Sequence, residues 1–503
     1  MHLTHASFIL IAVSAALTLA GCSQNGDPSM PEAEFSRLTQ LQVAAPVAKQ
    51  IPFKQAHHGR TLSDPYHWLK DQGYPTVDDQ PIIAYLEQEN AYYQRFLKPN
   101  ADLVETVFQE FKGRTDQQET SVPYISNGYE YRWFYRQGEE YRTRSRKNLK
   151  TGEEAVFLDE TALAMGNDYF VIGDWVISPD NRYLAYSYDT AGDERYQVTI
   201  VNLQTGKDLD DVLNDVEGAL EFSSDGTKLM YALLEPERWQ SKNLQIHILG
   251  SDQSEDQTIY HEQDDGFFIR FFKTSNEEFL VIASAQGEVQ ESYIMPTDFS
   301  GEPLQIVSRN DGFTQQIDHA HGEFYILAND THKNFRLVKV DEEDASQKNW
   351  QTLIEGSDQS YLLSMQTFDD FLVIKSRDAG FEKIHIRGYD GASHEVAFPE
   401  PLFTAGLGVN ADFSQSFVRL AYESMITPST IYDYDPVGQQ LVTRKVQKIP
   451  SGYDKFQYQT QRLMATARDG AKVPISLVYK KGLRQDSSQP LWLYGYGAYS
   501  ATI

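Results

Sequence analysis

The spacing of apolar residues changes twice along this chain, and each change predicts a different kind of element. Between about residues 80 and 114 the spacing is helical. Ile82, Leu86, Tyr93 and Leu97 share one face behind Pro81, which sits where the first turn of a helix has no N–H to lose. Leu103, Val104, Val107, Phe108 and Phe111 repeat that spacing in a second helix. From residue 119 the elements shorten to strands. YRWFY starts at Tyr131, YLAY at Tyr183, LMYA at Leu229, FLVI at Phe279, FYIL at Phe324, FLVI at Phe371 and FVRLAY at Phe417. The steps between these starts are 52, 46, 50, 45, 47 and 46 residues. A period this even, with several short strands in each unit, predicts a seven-bladed β-propeller over 119–448. A pair of β-sandwiches would supply strands without the even spacing. Asn127-Gly128, Asp180-Asn181 and Asp225-Gly226 supply the positive-φ or side-chain-capped positions that hairpin turns need.

Beyond 448 the pattern changes again. Residues 461–467 read as a strand, Arg468-Asp469-Gly470-Ala471 as a turn, and 473–479 (VPISLVY) as a second strand. After a polar loop, 491–494 (LWLY) reads as a short buried strand running into YGYGAY. Near-continuous apolar runs mark strands covered on both faces, so 449–503 is expected to open an α/β domain. The two early helices, within 49–118, carry apolar stripes that need a partner surface, and this later domain is the expected one.

The N-terminus adds a targeting signal. Residues 7–20 (SFILIAVSAALTLA) are apolar and uncharged but short for a membrane span, and Leu19-Ala20-Gly21-Cys22 follows before the chain turns polar. Small residues before a cysteine resemble the lipobox of bacterial lipoproteins. The expectation is a signal peptide at 1–21, lipid attachment at Cys22, a tether at 22–48, and a periplasmic protein anchored to the outer membrane. MHLTHAS departs from that pattern in lacking Lys or Arg, and an ordinary secretory signal with an incidental cysteine is the alternative. Cys22 is the only cysteine, which excludes a disulfide framework.

Charge narrows the partners. With 72 acids against 44 bases and a net charge of −28, the chain lacks the basic surface that nucleic acid requires. Such a charge serves solubility and suits cationic ligands such as basic peptides. His57-His58 and Asp318-His319-Ala320-His321 have spacings a metal accepts, but no third and fourth ligand accompany them, so no metal is expected. Asp210-Asp211, Asp264-Asp265 and Asp369-Asp370 are read as solvated turns, and the basic run 142–150 (RTRSRKNLK) as an exposed strand end.

DPYHWLKD from Asp64, the repeated β region, ITPSTIYDYD, ATARDGAKVPISLVYKKG and LYGYGAYS occur in an order that resembles the prolyl oligopeptidase family of serine peptidases. RTDQQETSVPYISNGYEYRWFYRQGEEYRTRSRKN is closer to its oligopeptidase B branch than to prolyl oligopeptidase itself. The resemblance implies a propeller capping an α/β-hydrolase domain that is built from an N-terminal segment and a C-terminal one. It implies hydrolysis of short peptides, after Arg or Lys in the oligopeptidase B branch and after Pro in the proline-directed relatives, with no cofactor. Serine peptidases need a nucleophile on a Gly-x-Ser-x-Gly elbow, then an acid and a histidine. No such elbow occurs in the 503 residues, and Ser500 has none around it. The expectation is therefore a chain that stops before its triad and is inactive as it stands. Carried over from the family, Tyr496 matches the phenol that donates to the oxyanion, and Tyr499 a position near the substrate pocket. A lipid-anchored propeller that binds peptide or protein without catalysis is the alternative function.

Overall fold

The computed structural model describes residues 44–497 except 75, 237, 238, 484 and 485. The chain divides into two compact units between residues 112 and 113.

In the first unit, the strands Lys54–His57 and Arg60–Ser63 form a hairpin. The DPYHWLKD turn that follows is held by its own side chains. His67 stacks on Phe53 at 3.6 Å between ring centroids, and the Trp68 indole N–H donates to the Lys49 carbonyl at 2.7 Å. The Asp71 carboxylate accepts from the backbone of Gly73, Asp78 and Asp79, setting the entry to helix α1, Gln80–Leu97. Pro81 lies in its first turn, as the spacing predicts. Helix α2 is Ala101–Arg114. Ile82 is buried, whereas Leu86, Tyr93, Leu103, Val104, Val107, Phe108 and Phe111 are exposed.

The second unit is a succession of antiparallel sheets. Four-stranded sheets span 124–159, 268–307, 315–354, 360–395 and 404–446, each with its strands in chain order. All seven apolar motifs form the second strand of their repeat, from Tyr129–Phe134 through Val418–Glu423. The expectation of seven separate blades is nevertheless corrected. Residues 171–261 form one seven-stranded sheet, because the strand Lys207–Phe222 is continuous for 16 residues. Its first half pairs with Tyr196–Asn202 and its second half with Lys228–Leu234.

Turn chemistry repeats with the strands. The hydroxyls of Ser178, Ser223 and Thr274 donate to Asp180, Asp225 and Asn276, two residues on. They also accept the N–H of Tyr183, Lys228 and Phe279, the residues that open or adjoin each apolar strand. This local bonding replaces ladder bonds that a tight turn cannot make.

Neighbouring sheets pack face to face. Val281, Ile294, Phe324 and Ile326 share one buried cluster, and Val373, Ile386, Leu420 and Tyr432 another. The last sheet returns to the first through polar contacts. Arg419 donates to the Pro123 carbonyl, and Lys445 Nζ contacts Glu119 at 2.6 Å and the Thr120 carbonyl at 2.7 Å. The sheets thus close into a ring with no strand shared across that seam. Inner strands touch one another around it: Gln316 exchanges hydrogen bonds with the backbone of Met365, and Gln366 donates to the Asn410 carbonyl.

Candidate functional site

The chain leaves the ring after Gln440–Val446 and forms the hairpin Tyr458–Thr466 and Lys472–Lys480, in register from Tyr458↔Lys480 to Thr466↔Lys472. Gly470, at φ 88°, makes the turn. Arg462 fixes this hairpin to the ring. Its guanidinium lies 4.0 Å from the Phe381 ring centroid and donates to the Ala379 and Gly380 carbonyls at 3.4 and 3.2 Å. Lys455 adds a bond to the Thr427 hydroxyl at 3.3 Å, and the Tyr453 hydroxyl donates to the Ile426 carbonyl at 3.0 Å.

The expected buried strand at 491–494 is corrected. Leu491, Trp492 and Leu493 are 75%, 85% and 80% exposed, and no strand forms there. A strand needs a neighbour for its backbone groups. Among the described residues, Lys472–Lys480 pairs with Tyr458–Thr466 alone, so nothing receives 491–494. The sheet of an α/β domain is therefore not formed by the described residues. Tyr496 lies just beyond, 52% exposed. A Cβ built on Gly495 or Gly497 would meet no atom within 4 Å, so packing does not demand glycine on either side of it. Tyr499 and Cys22 lie outside the described residues. No helix among the described residues is long and apolar enough to cross a membrane.

The structure relocates several charged residues that the sequence placed in solvent. Arg144 and Arg146, in the strand Thr143–Asn148, are turned inward rather than exposed. Arg144 pairs with Glu160 at 2.8 Å and lies over Trp175, and Arg146 donates to Asn181 Oδ1 at 3.0 Å and lies over Tyr129. Asp211 is buried inside the long strand, not in a turn: its carboxylate meets His247 Nε2 at 2.8 Å, while Asp256 meets His247 Nδ1 at 2.7 Å. Asp265 pairs with Lys242, and Asp369 and Asp370 are exposed beside Phe371. A further cluster has no counterpart in the sequence reading. Arg309 joins Glu262 and Glu291 at the junction of the seven-stranded sheet with the 268–307 sheet. Burial pushes Glu262 up, but Arg309, the Ser284 and Tyr260 hydroxyls and the Asp264 N–H outweigh it and hold the carboxyl at about 2.

His319 gains partners that the sequence did not reveal, since ligand atoms of Glu278, His319 and Glu342 lie within 4.8 Å of one another. The Asn276 carbonyl oxygen accepts from Thr274, which leaves its amide to donate to His319 Nδ1 at 2.9 Å. Nδ1 also lies 3.3 Å from Glu278, and Nε2 lies 2.8 Å from Glu342. Both ring nitrogens therefore have hydrogen-bond partners. His57 and His58 face solvent in the first hairpin, with ring centroids 6.5 Å apart.

Comparison with known proteins places this architecture. Residues 46–447 match the model of the prolyl oligopeptidase N-terminal beta-propeller domain. Dipeptidyl aminopeptidase BI of Pseudoxanthomonas mexicana is 32% identical over 478 residues, and Protease 2 of Moraxella lacunata is 30% identical over 465. Each alignment covers 91% of this chain, which spans 65% and 66% of those relatives. Oligopeptidase B from Leishmania major superposes with a TM-score of 0.84 at 24% identity, covering 91% of this chain and 68% of that one. Oligopeptidase B from Trypanosoma brucei, solved with covalently bound antipain, gives 0.82 at 27%, with the same coverage of both chains.

Proposed function

This chain belongs to the prolyl oligopeptidase family, and from that premise we propose that it is the propeller and oxyanion portion of a serine peptidase that hydrolyses short peptides, after Arg or Lys. The observation that carries this reading is the match of 46–447 to the family's propeller, followed in the same chain by a hairpin that leads to Tyr496. In this reading the five four-stranded sheets and the seven-stranded 171–261 sheet together form the ring that a peptide must pass. The ring limits entry to short peptides, and Tyr496 donates its phenol proton to the developing oxyanion, where a preorganised neutral donor is effective. The excess of acid over base, a net −28, favours basic substrates. Lipidation at Cys22 would hold the protein at the outer membrane, facing the periplasm.

The nucleophile, base and acid are not among these 503 residues as a recognisable elbow and its partners. The 503-residue chain is therefore expected to give no turnover of a dibasic fluorogenic peptide, and turnover by pure material would overturn the assignment of roles. The coding DNA after Ile503 tests the reading from the other side. An in-frame serine elbow followed by an acid and a histidine supports it, and in that longer polypeptide Tyr496→Phe should lower kcat by roughly 10²–10³-fold. A second reading, release of dipeptides from peptide N-termini, is favoured by the name of the Pseudoxanthomonas relative. Peptides with free and blocked N-termini separate the two.

A further inference from the structure

Among the described residues, His247 lies in the sheet where the ring departs from four-stranded units. It sits on Ser241–Ile248 and is fully buried, and the carboxylates on either side of it, Asp211 and Asp256, are each 2% exposed. Asp211 belongs to the first half of Lys207–Phe222, the half that pairs with Tyr196–Asn202. Asp256 belongs to the connection between Ser241–Ile248 and Gln257–His261 and also accepts from the Tyr231 hydroxyl at 2.7 Å. Gln253, in the same connection, exchanges hydrogen bonds with the backbone of Asn214 at 3.1 Å. The imidazole is thus the centre of a bridge between the two halves of the seven-stranded sheet.

Hydrogen-bond chemistry fixes what this bridge needs. A neutral imidazole has one N–H and one lone pair, and a lone pair facing a carboxylate oxygen at 2.7–2.8 Å is repelled. Both contacts are attractive only when the ring carries two protons. The bridge therefore binds a proton as part of its structure. We propose that Asp211, His247 and Asp256 form a proton-dependent clasp, which braces the first half of Lys207–Phe222 against Ser241–Ile248 at neutral pH and lets go of it at alkaline pH.

The other groups facing the ring do not replace that proton. Asp252 adds negative charge nearby, and Tyr231 already donates to Asp256. Burial alone would lower the His247 pKa, but Asp256 and Asp211 outweigh it and hold the imidazole above its ordinary value. A group raised in this way contributes stability that is fully present below its unfolded value, about 6.5. That contribution is lost as pH rises through the folded value.

Hydrogen exchange of the full chain, corrected for the intrinsic rate at each pH, reads the clasp directly. Amides of 207–215 should lose at least about tenfold protection between about pH 6 and about pH 9.5, while those of 324–328 keep theirs. His247→Gln turns its N–H₂ to one carboxylate and its carbonyl oxygen to the other at every pH, and should be equally unprotected at both. Asp256→Asn offers an amide N–H to the second ring nitrogen, so a neutral imidazole satisfies both sides and protection should persist at both pH values. Unchanged protection of 207–215 in the parent across this range overturns the proposal. So does a wild-type pH dependence retained in Asp256→Asn, and this variant keeps the test decisive if His247→Gln fails to fold.

Discussion

Replacing Arg419 with alanine is expected to loosen the seam of the ring and to lower stability by about 3–5 kcal/mol, the usual result of breaking a buried ion pair from one side. Arg419 Nε donates to Asp433 Oδ1 at 2.8 Å and Nη2 to Oδ2 at 3.2 Å, with both side chains almost wholly buried. Its remaining Nη1 reaches across the seam to the Pro123 carbonyl. The alanine variant leaves Asp433 with a more distant cation, Arg444 at 3.5 Å, and leaves the Pro123 carbonyl without that donor. Arg419→Lys keeps the charge but has no planar fork for two directions at once, so an intermediate loss is expected. The measurement is a denaturant midpoint together with hydrogen exchange of Tyr124–Ser126, the strand next to Pro123. If exchange there is unchanged in Arg419→Ala, the seam is held by other contacts.

The ring was legible in the sequence because the second strand of every repeat after the first is largely buried on both faces. Leu280, Val281, Ile282 and Ala283 are all nearly inaccessible, and such a run appears as consecutive apolar letters whatever surrounds it. The fused sheet was not legible. Its continuous strand reads KDLDDVLNDVEGALEF, rich in Asp, Glu, Asn and Gly, which have low strand propensity and carry a turn signal. Three register shifts let this strand bend from one partner to the next, and a pattern of period two cannot anticipate them. Asp211 was misplaced for the same reason, since the partner that makes its burial affordable, His247, is 36 residues away.

The candidate site rests on a motif alone. Tyr496 is proposed from the letters around it, whereas its surroundings depend on neighbours for 491–494 that the described residues do not supply. Arg144 and Arg146 fail in the opposite sense. A run of bases suggests a solvated surface, but alternate residues of a strand share one face, and here that face meets Glu160, Asn181, Trp175 and Tyr129. Cation–aromatic and charge-assisted contacts make an inward arginine stable, and neither is visible without the fold.

Asp318→Ala is expected to destabilise the ring by about 3–5 kcal/mol, because it removes one carboxylate from three consecutive sheets. Asp318 Oδ1 accepts the backbone N–H groups of Ser275 at 2.7 Å and His319 at 2.9 Å. Oδ2 accepts the Ser275 hydroxyl at 2.7 Å and the Thr367 N–H at 2.8 Å. Ser275 lies in a turn between strands of the 268–307 sheet and Thr367 in the 360–395 sheet, so the side chain bridges both neighbours of its own. His319 and Thr367 are fully buried, and their N–H groups would be left without acceptors in a space water does not reach. Each such orphan costs about 1–3 kcal/mol, which makes this loss larger than the removed side-chain volume would suggest. Asp318→Asn separates the causes. Its single carbonyl oxygen serves one pair of donors while its amide N–H₂ confronts the other, so the isosteric variant should recover little of the loss. A near-native denaturation midpoint for Asp318→Asn would mean that shape, rather than the carboxylate's acceptors, holds these sheets together.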